Sequence, residues 1–352
     1  MSGLFDIIGP LVRLLDAEKA HSATIAALKT GLVPAPPKFL HDSLRVEMCG
    51  LSFPNPVGLA PGFDKNAQVP DAMLKQGFGY VEIGTVTPLP QEGNVKPRLF
   101  RLPEDKAVIN RMGFNNHGAE VVLQRLKARA KNGIVGVNIG ANKTSDDRPG
   151  DYVKGIETFY QIADYLTVNI SSPNTPGLRG MQSRQELTEL LERLNEARDR
   201  LGNQPPMFLK IAPDLIDDEL ADICEVCQKT KIDALIISNT TLSREALRSS
   251  ARNEAGGLSG EPLFEMSTRM LAKAHRLTNG KLPLIGVGGV SGPQQAFEKI
   301  RAGASLVQLY SAMVYQGPTL ADEISKGLVK LLDKHNFNSI GNAVGNNVDA
   351  WL

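Results

Sequence analysis

"KLPLIGVGGVSGPQQAFEKIRAGASLVQLYSAM", residues 281–313, decides the fold. An apolar run, "LPLIGVG" from 282, meets a glycine-rich turn; a helical pattern follows over 293–302, and a second apolar run, "SLVQLY" from 305, closes the unit. Two Val/Ile/Leu-rich runs joined by a helix belong to parallel strands buried on both faces. Six more such runs precede them: "PVGLA" at 56, "YVEIG" at 80, "IVGVNI" at 134, "YLTVNI" at 165, "MFLKIA" at 207 and "ALIIS" at 234. Helical patterns such as 185–201 lie between them. Eight units of this kind close an α/β fold of the (β/α)8 TIM-barrel type.

Outward from the barrel, "LRVEMCGLSF" reads as a small hairpin, and "VPAPPK" at 33–38 is a stiff linker that no helix crosses. Before it, "LFDIIGPLVRLL" at 4–15 suggests a short helix restarting at Pro10. A second helix follows, with His21, Ile25 and Leu28 on one face. The chain divides into a helical extension at 1–38, a barrel domain at 39–337 and an Asn- and Gly-rich tail at 338–352 that reads as irregular. Two long excursions, from Thr85 to about His117 and from Ser171 to about Arg184, are dense in Pro and Gly. Loops of that length in a compact domain are usually functional, and these read as substrate covers.

The 352 residues carry 39 Lys and Arg against 38 Asp and Glu, a net charge of +1. That balance leaves no footprint for nucleic acid and favours small-molecule chemistry. Cys49, Cys224 and Cys227 are too few for a disulfide framework or a four-cysteine metal site, and the CxxC pair reads as two buried residues on a helix. No paired-His spacing appears, so no metal is expected. The amino terminus lacks a signal-peptide pattern, and no apolar run reaches the roughly 20 residues of a membrane span.

Catalytic groups of a barrel gather where its strands end. Those ends carry Gly62 with Lys65, Thr85, Asn138, Asn169, Lys210, Ser238 with Asn239, Gly288 with Gly289, and Tyr310 with Ser311. The glycine turn after the seventh strand and the turn after the eighth are expected to hold a phosphate. Lys210, a charge inside an apolar strand, reads as the charge partner of a cofactor ring, as a Schiff-base nucleophile, or as a lysine reaching solvent. Asn110, Asn169, Asn174 and Asn239 offer paired donors and acceptors suited to a pyrimidine, beside which Lys65 could hold a carboxylate.

At these residues the sequence resembles the dihydroorotate dehydrogenases, specifically the quinone-linked class 2. The matching segments are "NPVGLAPGFDKN", "INRMGFNN", "LTVNISSPNTPGLR", "LKIAPDL", "SNTT", "GGLSG", "GVGGV" and "LVQLYSA", between residues 55 and 312. The resemblance implies FMN-dependent oxidation of dihydroorotate to orotate in pyrimidine synthesis, leading to UMP. Ser172 would remove the C5 proton as hydride passes from C6 to flavin N5. A serine with no neighbouring base is a poor general base; position and water exclusion must compensate.

By resemblance, FMN contacts fall at Pro61, Gly62, Phe63, Asp64, Lys65, Thr85, Asn138, Asn169, Lys210, Ser238, Gly260, Gly289, Tyr310 and Ser311. Orotate contacts fall at Lys65, Asn110, Arg111, Met112, Gly113, Phe114, Asn169, Asn174, Asn239 and Thr240. The extension implies a ubiquinone or menaquinone acceptor reached past His21, Arg101 and Tyr310, peripheral binding at the cytoplasmic face of the cell membrane, and no iron-sulfur partner subunit. Its His21, Ile25, Leu28 stripe could face that membrane or pack on the barrel. The alternative activity left open by the residues alone is a Schiff-base lyase using Lys210.

Overall fold

The computed structural model describes residues 5, 9, 10, 12–175, 177–202 and 205–352. Eight parallel strands close into a barrel: β1 (Val57–Leu59), β2 (Tyr80–Val86), β3 (Ile134–Ile139), β4 (Tyr165–Asn169), β5 (Met207–Ile211), β6 (Ala234–Ile237), β7 (Leu284–Val287) and β8 (Leu306–Leu309). Each pairs with its successor, and β8 returns to β1 through Val307 opposite Val57 and Leu309 opposite Leu59. The helices used below are α1 (Ala17–Lys29), α2 (Arg184–Leu201), α3 (Asp217–Lys229), α4 (Phe264–Leu277), α5 (Pro293–Arg301) and α6 (Leu320–Lys334). The sequence places α2 and α5 within one residue of these bounds.

The floor of the barrel is sealed by rings. Phe53, from the hairpin Val46–Met48 and Leu51–Phe53, packs edge-on to Tyr80 at 5.2 Å, and Tyr165 stacks on Phe208 at 4.6 Å. Two strand glycines make room for them. A Cβ at Gly58 would lie 2.2 Å from the Tyr80 ring, and one at Gly136 would lie 2.1 Å from that of Tyr165. With this end filled, the barrel offers a ligand space at its C-terminal mouth.

Two expectations need correction. The excursion after β2 is not irregular: Leu99–Leu102 and Ala107–Asn110 form an antiparallel pair, and Gly257–Gly260, from the connection after β6, adds a third strand. Pro97 and Pro103 mask the short strands, and the third partner lies some 150 residues away in sequence. The tail also has structure. Ile340–Ala343 is helical with Ile340 and Ala343 buried, and the Trp351 ring meets Phe264 edge-on at 5.7 Å, which docks the chain end onto α4.

For the stripe of the extension, left open between membrane and barrel, the packing decides. Ile25 and Leu28 are buried in the main core, so α1 packs on the barrel and spends its apolar stripe there. Asp16 caps α1 by accepting from the N–H groups of Glu18 and Lys19, and Glu18 accepts from Arg98 at 2.7 and 3.2 Å, tying the helix to the excursion sheet. The outward apolar residues are Leu14, 82% exposed, and Leu32, 79% exposed, with Leu15 beside them. The stretch 4–15 lies partly outside the described residues; those described at 5, 9, 10 and 12–14 are helical. Cys224 and Cys227 are free and buried on α3, as expected.

Candidate active site

A cavity of about 290 Å³ opens at the C-terminal mouth and runs out beneath α1. Its inner wall is built from strand ends. Asn169, at the end of β4, donates to Thr85 Oγ1 and Asn138 Oδ1, both at 3.0 Å, and Thr85 donates to the same Asn138 oxygen at 2.6 Å. Asn239 Nδ2 donates to Ser171 Oγ at 2.9 Å, and Asn174 Nδ2 to Asn110 Oδ1 at 3.3 Å. These amides are held by one another, so their free edges are fixed before any ligand arrives.

Two lysines bring positive charge to this wall. Lys210, from β5, is buried, and its ammonium has no hydrogen-bond partner among the described residues. Burial lowers its pKa while the charge of Glu82 opposes that shift. Lys65 donates to Gly62 O at 2.7 Å; burial brings it to about 8, with Glu18 opposing. Ser172 lines the same cavity and accepts from the Asn174 N–H at 3.2 Å, whereas Ser171 turns into the amide network.

At the opposite side, Gly288 and Gly289 take φ of +107° and +73°. A Cβ at Gly289 would sit 2.4 Å from Phe264 Cβ, so only glycine fits against α4. Among the described residues, the N–H groups of Gly289, Val290, Tyr310 and Ser311 have no acceptor in the chain, and all four residues line the cavity. Unpaired N–H groups clustered this way suit a phosphate. The outer end is aromatic: His21 lies 5.4 Å from Phe63 and its Nδ1 is 3.4 Å from Tyr310 OH. Burial drives His21 down to about 3, with the Lys65 charge adding to the shift. Arg101 binds the extension through the carbonyls of Arg13 and Leu15.

Most of the expected residues therefore meet in one cavity: Pro61 to Phe63, Lys65, Thr85, Asn110, Met112 to Phe114, Asn169, Ser172, Asn174, Lys210, Ser238 to Thr240, Gly260, Gly289, Tyr310 and Ser311, with His21 and Arg101 at its outer part. Three do not line it. Asp64 is turned into its own turn, accepting from the N–H groups of Asn66, Gln68 and Val69. Arg111 faces outward to Glu254 at 2.7 Å and lies over the Phe100 ring. Asn138 sits beneath the wall, donating to Glu82 at 2.8 Å.

Glu82 was missed. It is fully buried and accepts from Asn138, Tyr165 OH at 3.1 Å and Gln308 at 2.7 Å. A carboxylate in the apolar run "YVEIG" is the same kind of signal that singled out Lys210.

The family model for dihydroorotate dehydrogenase matches residues 43–332. An Agrobacterium fabrum protein named dihydroorotate dehydrogenase (quinone) is 55% identical over 357 residues, covering 100% of this chain and 98% of that one. A Brucella melitensis protein of the same name is 54% identical over 362 residues, with the same coverage. The structure of Eimeria tenella DHODH in complex with ferulenol superposes with a TM-score of 0.92 at 40% identity, over 94% of this chain and 96% of that one.

Proposed function

The chain belongs to the dihydroorotate dehydrogenase family, and on that premise we propose that it oxidises dihydroorotate to orotate, with FMN as the bound carrier and a membrane quinone as the final acceptor. The observation that carries this reading is the shared cavity: an unpartnered ammonium at Lys210, a hydroxyl at Ser172, preset amides and a row of unpaired N–H groups open onto one space. The donor set fits FMN, with Gly289, Val290 and Ser311 for the phosphate and Lys210 for the ring. Bound there, the flavin supplies a two-electron acceptor that ordinary side chains lack.

The protein's own part is to hold the pyrimidine and take its proton. Asn110, Asn174 and Asn239 present donors and acceptors to the ring amides, and Lys65 offers a cation to the carboxylate. Ser172 Oγ takes the C5 proton. Among the described residues its only bond comes from a backbone N–H, which leaves a lone pair free. The loop that carries Ser172 and Asn174 keeps water from the site.

His21, Phe63 and Tyr310 line the quinone route, and Leu14, Leu15 and Leu32 supply the exposed apolar edge for a membrane surface. None of the described helices is long and apolar enough to cross a membrane; the reading is of peripheral attachment through the exposed leucines, at the cytoplasmic face. One visible spectrum tests the core of the proposal. The purified protein should be yellow, bleach with dihydroorotate in the absence of oxygen, and recover colour with a soluble quinone. A colourless protein trapped by borohydride at Lys210 would instead mark a Schiff-base enzyme. Deleting residues 1–38 should abolish quinone reduction and spare bleaching.

A further inference from the structure

Behind the glycine turn lies a charge that the proposed reaction does not use. Lys299, on α5, is fully buried, and its ammonium donates to Ser267 Oγ at 2.8 Å and Thr268 Oγ1 at 3.0 Å, both on α4. It also stands 5.3 Å from the centre of the Phe264 ring. Ser267 links it to the cavity wall: its Oγ lies 2.8 Å from Leu263 O and 3.2 Å from Gly288 O. A Cβ at Gly286 would meet Lys299 Cδ at 3.0 Å, so the side chain runs directly behind the end of β7. Leu263, Gly288 and Gly289 are lining residues of the cavity on the other side.

None of the elements packed around Lys299 gives it an anion. β7 and β8 carry no titratable residue. On α4, Glu265 is exposed and pairs with Arg269, Lys273 reaches Asp217, Arg276 reaches Asp349, and His275 packs on Gly303. On α6, Asp322 pairs with Lys326, and Glu323, Lys330, Asp333 and Lys334 form no ion pair with it. On its own helix, Glu298 pairs with Arg301. A buried ammonium bonded only to hydroxyls is costly unless a negative charge arrives nearby.

We propose that Lys299 is a positioning residue for the phosphate monoester of the flavin, a buried cation whose counter-ion is the phosphate bound on the front of the same glycine turn. This rests on the reading of that turn as the FMN phosphate site. Burial alone lowers Lys299 to about 7, so in the empty protein at pH 8 it is mostly neutral. A dianion at Gly289 and Ser311 favours the ammonium, which stiffens the Ser267 and Gly288 contacts. By linkage, phosphate binding and proton uptake strengthen each other by the same factor.

The test uses the full chain stripped of flavin, titrated with FMN and with riboflavin at pH 8. At that pH free FMN phosphate is already a dianion, its second pKa being about 6. Calorimetry in two buffers of different ionisation enthalpy reads the protons taken up. The wild-type protein is expected to take up close to one proton with FMN and none with riboflavin. Lys299→Met should bind FMN about tenfold more weakly or worse, within the usual range of such couplings, bind riboflavin within about threefold of wild type, and lose the proton uptake.

An unchanged FMN-to-riboflavin ratio with unchanged uptake would reduce Lys299 to a tether between α4 and α5. Should the variant fail to fold, the wild-type arm still decides, because equal proton counts for the two flavins overturn the proposal. If neither flavin binds the wild-type protein, the cofactor reading itself fails.

Discussion

Replacing Ser172 with alanine separates the chemistry of the site from its architecture. The Ser172 hydroxyl accepts one hydrogen bond, from the Asn174 N–H at 3.2 Å. Losing it costs about 0.5–1.5 kcal/mol, which for a chain of 352 residues moves the melting temperature by only about 1–2 °C. Removing a positioned general base costs roughly 10²- to 10⁴-fold in rate, or about 2.7–5.5 kcal/mol of barrier. The two effects differ enough to be read apart. Anaerobic stopped-flow mixing with dihydroorotate should show flavin bleaching slowed by at least about 100-fold, while orotate still binds within about threefold of wild type.

The adjacent serine is the internal control. Ser171 is fully buried, donating to Asn169 Oδ1 at 3.0 Å and accepting from Asn239 Nδ2 at 2.9 Å. Ser171→Ala should therefore loosen the amide wall and weaken orotate binding more than it slows bleaching. A Ser172→Ala protein that bleaches within threefold of wild type would refute the assignment of the base.

Lys210→Met keeps an unbranched side chain, one atom shorter, and removes the charge. Loss of about 1.5–3 kcal/mol of charge-assisted stabilisation of the reduced flavin should lower its two-electron midpoint potential by ~30–65 mV; dye-equilibrium titration at an unchanged potential would reject the role. His21 has a folded pKa of about 3, below its unfolded value near 6.5. Its neutral form therefore contributes stability that is fully present above pH 6.5 and lost as pH falls from there toward 3. His21→Phe should flatten that part of the melting-temperature profile between pH 6.5 and 4, and a profile parallel to wild type would contradict a buried neutral imidazole. The double substitution Leu14→Glu and Leu32→Glu should release the protein from anionic lipid vesicles in a flotation assay without slowing dihydroorotate-driven bleaching; undiminished flotation would move the membrane contact elsewhere.

The depth to which the site could be read from the sequence follows from where each signal resides. A charge inside an apolar strand is a local anomaly, and Lys210 announces itself; Glu82 carries the same anomaly, but its meaning depends on Asn138, Tyr165 and Gln308 arriving from three other strands. Asp64 and Arg111 sit within segments that do line the cavity, yet their side chains turn to neighbouring N–H groups and to Glu254. Which way a loop side chain points is set by partners distant in sequence, so chain position alone misplaced both.

The barrel itself needed no tertiary information. Apolar runs of strand length alternating with helical periodicity can bury both faces of a sheet only by covering it with helices, and eight of them close it. What the linear pattern could not determine is pairing across long separations. The excursion strands find Gly257–Gly260, Trp351 returns to Phe264, and the Ile25 and Leu28 face of α1 is spent on the barrel core, which leaves Leu14 and Leu32 outside. An amphipathic stripe states that a face must be covered; whether protein or lipid covers it depends on what the rest of the chain brings within reach.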